Sequence, residues 1–264
     1  MFANKFKGEI MRFKKFGIIV FVAVFLVGCA EIFDSIDNQI SQIGSSQTST
    51  KTDKTTQTSK TTPTTTKSGV KNSSADFFTA MGDSEAASIV KGTHKNTPSW
   101  FAQSKTTLGA SNDATNLQNM KASLAIIKQT NAKRKSEGKS ALKVSHKMMA
   151  ISQIRTNYAA HYKFSHAPLT GVARVAENLA KGQANGTVAV NAWYSEKSNC
   201  PNKSDKNCKF SAKTGHYLNL VNSSYLVTGA GLANKTYGGV YGSGGNAYTI
   251  EQYEAMFNKW LNGK

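Results

Sequence analysis

The sequence predicts an α/β domain in the C-terminal part of the chain, with its helices placed before most of its strands. Three observations predict it. Met120, Leu124, Ile127 and Asn131, then Met148, Ile151, Ile154, Tyr158 and Tyr162, recur at the three- and four-residue steps of amphipathic helices. After Tyr217 the pattern changes to short apolar runs broken by glycine, which read as strands and tight turns. The apolar residues are also spread unevenly over the 264 residues, so one medium domain with appendages fits better than one large domain.

In chain order, Met11-Arg12-Phe13-Lys14-Lys15-Phe16 is a basic segment ahead of an apolar run from Gly17 to Gly28. That run is short for a bilayer span and suits a signal peptide, so residues 1–28 are expected to be a lipoprotein signal peptide. It ends Leu26-Val27-Gly28-Cys29, which matches a lipobox, in which the cysteine is lipidated before cleavage. Met11 makes a more natural start than Met1. A chain beginning at Cys29 and carrying several acyl chains would be stably anchored to a membrane. Residues 29–74 are expected to be a disordered Ser/Thr/Lys-rich tether. Gln47 to Ser68 has almost no apolar side chain and cannot bury enough surface to offset its ordering entropy.

Residues 75–115 read as an N-terminal extension, with short helices at Ala75–Met81 and Ala86–Val90 and an apolar knot at Pro98-Ser99-Trp100-Phe101. The domain proper is expected over residues 116–264. Its first helix ends at Glu137-Gly138, and Ser145 caps the second. Thr187 to Glu196 forms a third, with Ala189, Ala192, Trp193 and Glu196 on one face. Strands follow at Leu226 to Ala233, Val240-Tyr241 and Tyr248-Thr249-Ile250, and a short helix at Ala255 to Leu261 closes the chain.

With Cys29 assigned to lipid, Cys200 and Cys208 remain, on either side of a polar loop. In an exported protein a disulfide between them is expected, with a two-cysteine metal site as the weaker alternative.

Imidazoles and carboxylates gather in one stretch. It contains Phe164-Ser165-His166, Ala176-Glu177-Asn178-Leu179-Ala180, Trp193-Tyr194-Ser195-Glu196 and Thr214-Gly215-His216-Tyr217. With Asn131, Arg134, Gly138, Leu142 and Ser145 ahead of them and Tyr225 to Ala233 behind, these words resemble the CAP superfamily (cysteine-rich secretory, antigen 5 and pathogenesis-related proteins) in its bacterial form. The resemblance covers about residues 116–254. It implies a three-layer α-β-α sandwich with a mixed, mostly antiparallel sheet, and it makes His166, Glu177, Glu196 and His216 the tetrad of the central cleft. Ala176, where many members have glycine, and Leu218, where animal and plant members more often have a polar residue, depart from the pattern and set eukaryotic ligand specificities apart.

Two imidazoles could hold Zn²⁺ or another divalent ion, with His166 and His216 as ligands and the carboxylates as further ligands or as orienters of the rings. The plainer alternative is that Glu177–His166 and Glu196–His216 are hydrogen-bonded pairs that lock helices to sheet. An enzymatic alternative, a metal-assisted or His-Glu hydrolase or peptidase acting through Glu196 and His216, needs a nucleophile within reach of the base. Ser165 and Ser195 are candidates by adjacency alone, and no G-x-S-x-G or H-E-x-x-H word occurs. His94, His146 and His161 read as surface or helix-face residues. The leading expectation is a non-enzymatic binding module.

The formal charge is +18, and Lys5, Lys7, Arg12, Lys14 and Lys15 against Glu9 place +4 of it in residues 1–28, so a chain cleaved before Cys29 keeps +14. Such a charge favours anionic neighbours. Nucleic acid is excluded as the expected partner, since no zinc-finger, RNP or helix-turn-helix wording occurs and the address is extracytoplasmic. The expected partners are a membrane through lipid on Cys29, and a lipid, cell-wall polymer or host protein. Ala30-Glu31 lacks the aspartate that retains some lipoproteins at an inner membrane, so the expected location is a cell membrane or outer membrane, on the extracytoplasmic face.

Overall fold

The computed structural model describes residues 71–168, 172 and 174–263. The expected signal peptide, Cys29 and nearly all of the tether lie outside the described residues. The elements are α1 (Ser74–Ala80), α2 (Ser84–Lys91), a 3₁₀ turn (Ser99–Ser104), α3 (Leu117–Ser136), β1 (Lys143–Val144) and α4 (His146–His161). They continue with β2 (Ala176–Lys181), α5 (Gly186–Ser195), α6 (Gly215–Val221), β3 (Val227–Ala233), β4 (Thr236–Gly242) and α7 (Ile250–Leu261). The strands form one mixed sheet in the order β1-β3-β4-β2, with β1 parallel to β3 and the other pairs antiparallel. β2 is therefore an edge strand.

The sheet lies between two helical layers, the expected three-layer α-β-α sandwich. On one face α4 packs against β3 and β4, and glycines let it come close. A Cβ on Gly229 would lie 2.1 Å from the backbone of Met148, and one on Gly238 would lie 2.2 Å from Thr156 Oγ1. On the other face Ser123 of α3 reaches the Ala230 carbonyl. There Ile126 of α3 fills the space above Gly186 of α5. Asn116 caps α3 through bonds from the N–H groups of Gln118 and Asn119. Ser145 holds the N-cap position of α4 as expected, but its hydroxyl makes no capping bond. One hydrophobic core runs from Ala75 to Phe257. The described residues belong to one compact unit, which holds that core.

Three expectations are corrected. Tyr248-Thr249-Ile250 is not a strand: Tyr248 makes one bridge to Val144, and α7 already begins at Ile250. Thr249 and Gln252 form a reciprocal capping box there, and the satisfied N–H groups outweigh β-propensity. The closing helix is accordingly longer than expected. His146 is buried, packed on Phe77, Phe78, Tyr248 and Tyr253. Glu196 lies just beyond α5, in the 3₁₀ turn Glu196–Asn199, because the helix ends at Ser195.

Candidate functional site

The four tetrad residues form two His–carboxylate pairs beside edge strand β2. Glu177 opposes Val240 and Asn178 opposes Gly239, so their side chains leave β2 on opposite faces. Glu177 faces α4. There Arg155 donates from Nε to Glu177 Oε1 and from Nη2 to Oε2, both at 2.9 Å. The imidazole Nδ1 of His166 lies 2.7 Å from the same Oε2. The Glu177 side chain is 4 % exposed and the His166 side chain 59 %, so the carboxylate is the buried post and the ring reaches solvent. Arg155 also donates to the carbonyls of Ala167 (2.9 Å) and Pro168 (3.4 Å), and Trp100 Nε1 donates to Pro168. One guanidinium thus fixes both the carboxylate and the loop that carries His166.

The second pair is built on the start of α6. Glu196 Oε1 lies 2.7 Å from His216 Nδ1, while Oε2 accepts the backbone N–H of His216 (2.8 Å) and of Tyr217 (3.3 Å). A carboxylate from another element therefore satisfies the free N–H groups of the first helical turn and complements its positive end. At the other end of α6, Arg134 donates to the carbonyls of Leu220 and Asn222, so both termini of this short helix meet a complementary charge. Trp193 lies against the His216 ring and donates to the Leu179 carbonyl. Asn178 Nδ2 donates to the His216 carbonyl (2.9 Å), and Asn219 Nδ2 donates to Asn178 Oδ1 and to the Glu177 carbonyl. These amides couple the two pairs through β2.

Beneath α6, Glu137 accepts from Tyr194, Lys197 and Tyr217. Burial alone would raise its carboxyl, but the Lys197 and tyrosine hydrogen bonds and the Lys197 charge outweigh burial and hold it below its ordinary value. Burial, followed by the Glu137 charge, pushes the Tyr217 phenol well above its ordinary range. Sequence reasoning missed Arg155 and Glu137. The signal for Arg155 was a charged residue set among Ile151, Ile154 and Tyr158.

An ionised carboxylate only accepts hydrogen bonds, so Nδ1 is the donor in each pair. No hydrogen bond reaches the Nε2 of His166 or His216 among the described residues. Carboxylate-held imidazoles with a free second nitrogen suit metal ligation. Both oxygens of each carboxylate are already engaged, and no group of three or more His, Cys, Asp or Glu converges among the described residues. Those residues do not fit a resident four-ligand ion. Ser195 Oγ donates to the Ala192 carbonyl, and among the described residues no hydroxyl bonds to either imidazole of the tetrad. The expected disulfide joins Cys200 and Cys208. No helix among the described residues is long and apolar enough to cross a membrane.

The model of the cysteine-rich secretory protein family, named CAP, matches residues 127–253, a span that holds all four tetrad residues. No curated protein matches the chain. Among the solved structures that match is a cysteine-rich secretory protein from Staphylococcus aureus, 16% identical, with a TM-score of 0.35. The match covers 47% of this chain and 38% of that one, so this chain spans well under half of its length.

Proposed function

Residues 127–253 belong to the cysteine-rich secretory protein (CAP) family, and on that premise we propose that the protein is an extracytoplasmic lipoprotein, anchored through Cys29, whose CAP domain is a non-enzymatic binding module. The observation that carries this reading is the state of the two imidazoles. Each is held at Nδ1 by a carboxylate and leaves Nε2 unengaged among the described residues. Such rings present a fixed nitrogen to a ligand, as a binding site requires and as preorganisation favours.

The ligand is proposed to be a lipid or a molecule of a host or neighbouring cell, met at the edge of β2. A divalent ion such as Zn²⁺ would be held by Nε2 of His166 and Nε2 of His216, with the carboxylates orienting the rings. With only two nitrogens its affinity would be modest and would fall with acid. Calorimetric titration of Zn²⁺ into residues 64–264 at neutral pH tests this. Saturable binding that is lost in His166→Ala/His216→Ala is expected. Binding that survives the double substitution would place the ion elsewhere, and turnover of extracellular peptides that disappears in Glu196→Gln would replace the binding module with a hydrolase.

A further inference from the structure

The loop that follows α5 has properties that the His–Glu pairs do not use. Between residues 197 and 213 it carries Lys197, Lys203, Lys206, Lys209 and Lys213 against a single carboxylate, Asp205. Asp205 is held by Lys139 at 2.6 Å, and Lys197 is held by Glu137. Lys203, Lys206, Lys209 and Lys213 are exposed and make no ion pair among the described residues. In their midst Phe210 is 71% exposed, more than the other exposed large apolar side chains of the described residues.

A single exposed apolar residue is ordinary, but this one is held in place. The Cys200–Cys208 disulfide closes the loop ahead of it. Thr214 Oγ1 donates to the Lys209 carbonyl at 2.7 Å, and Asn199 Nδ2 to the Lys213 carbonyl at 2.8 Å. One edge of the ring rests on Gly215, where a Cβ would lie 2.9 Å from the ring's outermost carbon, Cζ. The rest of the ring faces solvent.

We propose that this loop is a membrane-contact surface of the CAP domain itself, in which Phe210 enters the headgroup–acyl boundary of a bilayer while Lys203, Lys206, Lys209 and Lys213 meet anionic lipid headgroups. Phenylalanine set among lysines with no carboxylate partner is the side-chain chemistry of interfacial binding. Charge complementarity selects anionic lipid. A dissolved polyanion would use the lysines alone, whereas a bilayer surface also takes the ring. The contact is independent of lipid on Cys29 and of the reading given to the His–Glu pairs.

The test is co-sedimentation of residues 64–264 with vesicles of equimolar phosphatidylglycerol and phosphatidylcholine, beside vesicles of phosphatidylcholine alone. Binding to the anionic vesicles, weakening as salt rises, is expected. Each lysine near an anionic surface contributes about fivefold, so Lys206→Gln/Lys209→Gln/Lys213→Gln lowers partitioning about a hundredfold. Phe210→Ser lowers it about tenfold or more. Phe210→Trp keeps an aromatic ring and binds as the unmodified chain does, and its added emission shifts to the blue on anionic vesicles. Failure to bind anionic vesicles overturns the proposal. So does Phe210→Ser binding undiminished, or an added emission in Phe210→Trp that vesicles leave unmoved, which would leave a purely electrostatic surface suited to a soluble polyanion.

Discussion

Arg155 and Glu177 meet as a two-pronged ion pair between α4 and β2, with both bonds at 2.9 Å and side chains only 3% and 4% exposed. Removing one partner leaves a buried charge uncompensated, which costs about 3–5 kcal/mol. Arg155→Ala is therefore expected to lose that much stability in denaturant titration. Arg155→Lys should recover only part of it, because an ammonium cannot span both oxygens and the Ala167 carbonyl together. Replacing both partners by apolar residues, as in Arg155→Met/Glu177→Leu, should cost less than Arg155→Ala alone.

His146 supplies a pH dependence. Burial depresses its pKa below the ordinary 6.5, with the Asp83 charge opposing, and its Nε2 has no hydrogen-bond partner. In the unfolded chain the ring binds a proton more readily than in the folded one. Its stabilising contribution is therefore complete above pH 6.5 and is lost as pH falls from there toward the folded value. The slope is up to about 1.4 kcal/mol per pH unit. Denaturant titrations between neutral and mildly acid pH should show this slope, and His146→Phe should flatten it.

Gly229 lies where α4 crosses the sheet. The methyl of Gly229→Ala would come within 2.1 Å of the Met148 backbone, so the helix must move. A loss of about 3 kcal/mol or more is expected, at or beyond the upper end of overpacking effects. Gly244→Ala, with nothing within 4 Å, should stay within about 0.5 kcal/mol. Thermal melts of the two variants side by side check the contrast.

The disulfide should contribute about 2–4 kcal/mol, mainly by restricting the unfolded chain. Cys200→Ser/Cys208→Ser is expected to lower the melting temperature, and added reductant should lower that of the unmodified chain while leaving the variant unchanged.

Periodicity carried the long helices, because Met120, Leu124, Ile127, Met148, Ile151 and Ile154 each take a buried place in one core. The pairing of His166 with Glu177 and of His216 with Glu196 was weighed from the sequence and appears in the structure as hydrogen bonds. Arg155 escaped because periodicity treats a charge on an apolar stripe as an exception, and its partner is 22 residues away on an edge strand. The two-residue β1 is too short to leave a pattern. Tyr248-Thr249-Ile250 misled because β-branched and aromatic residues read as strand, while the deciding feature was the Thr249–Gln252 cap. His146 looked like a helix-face residue because the aromatic groups around it come from α1, α7 and the segment before α7, all distant in sequence.

The central claim, that Nε2 of His166 and His216 are the ligand-facing atoms, is tested most directly by long-range ¹H–¹⁵N spectra of the histidine rings in residues 64–264. Both rings should carry the Nδ1 proton at neutral pH, and on adding Zn²⁺ the two Nε2 resonances should move together while those of His94 and His161 stay in place. Rings carrying the proton on Nε2, or Nε2 resonances that Zn²⁺ leaves untouched, would contradict the claim and make the two pairs purely structural ties between helices and sheet.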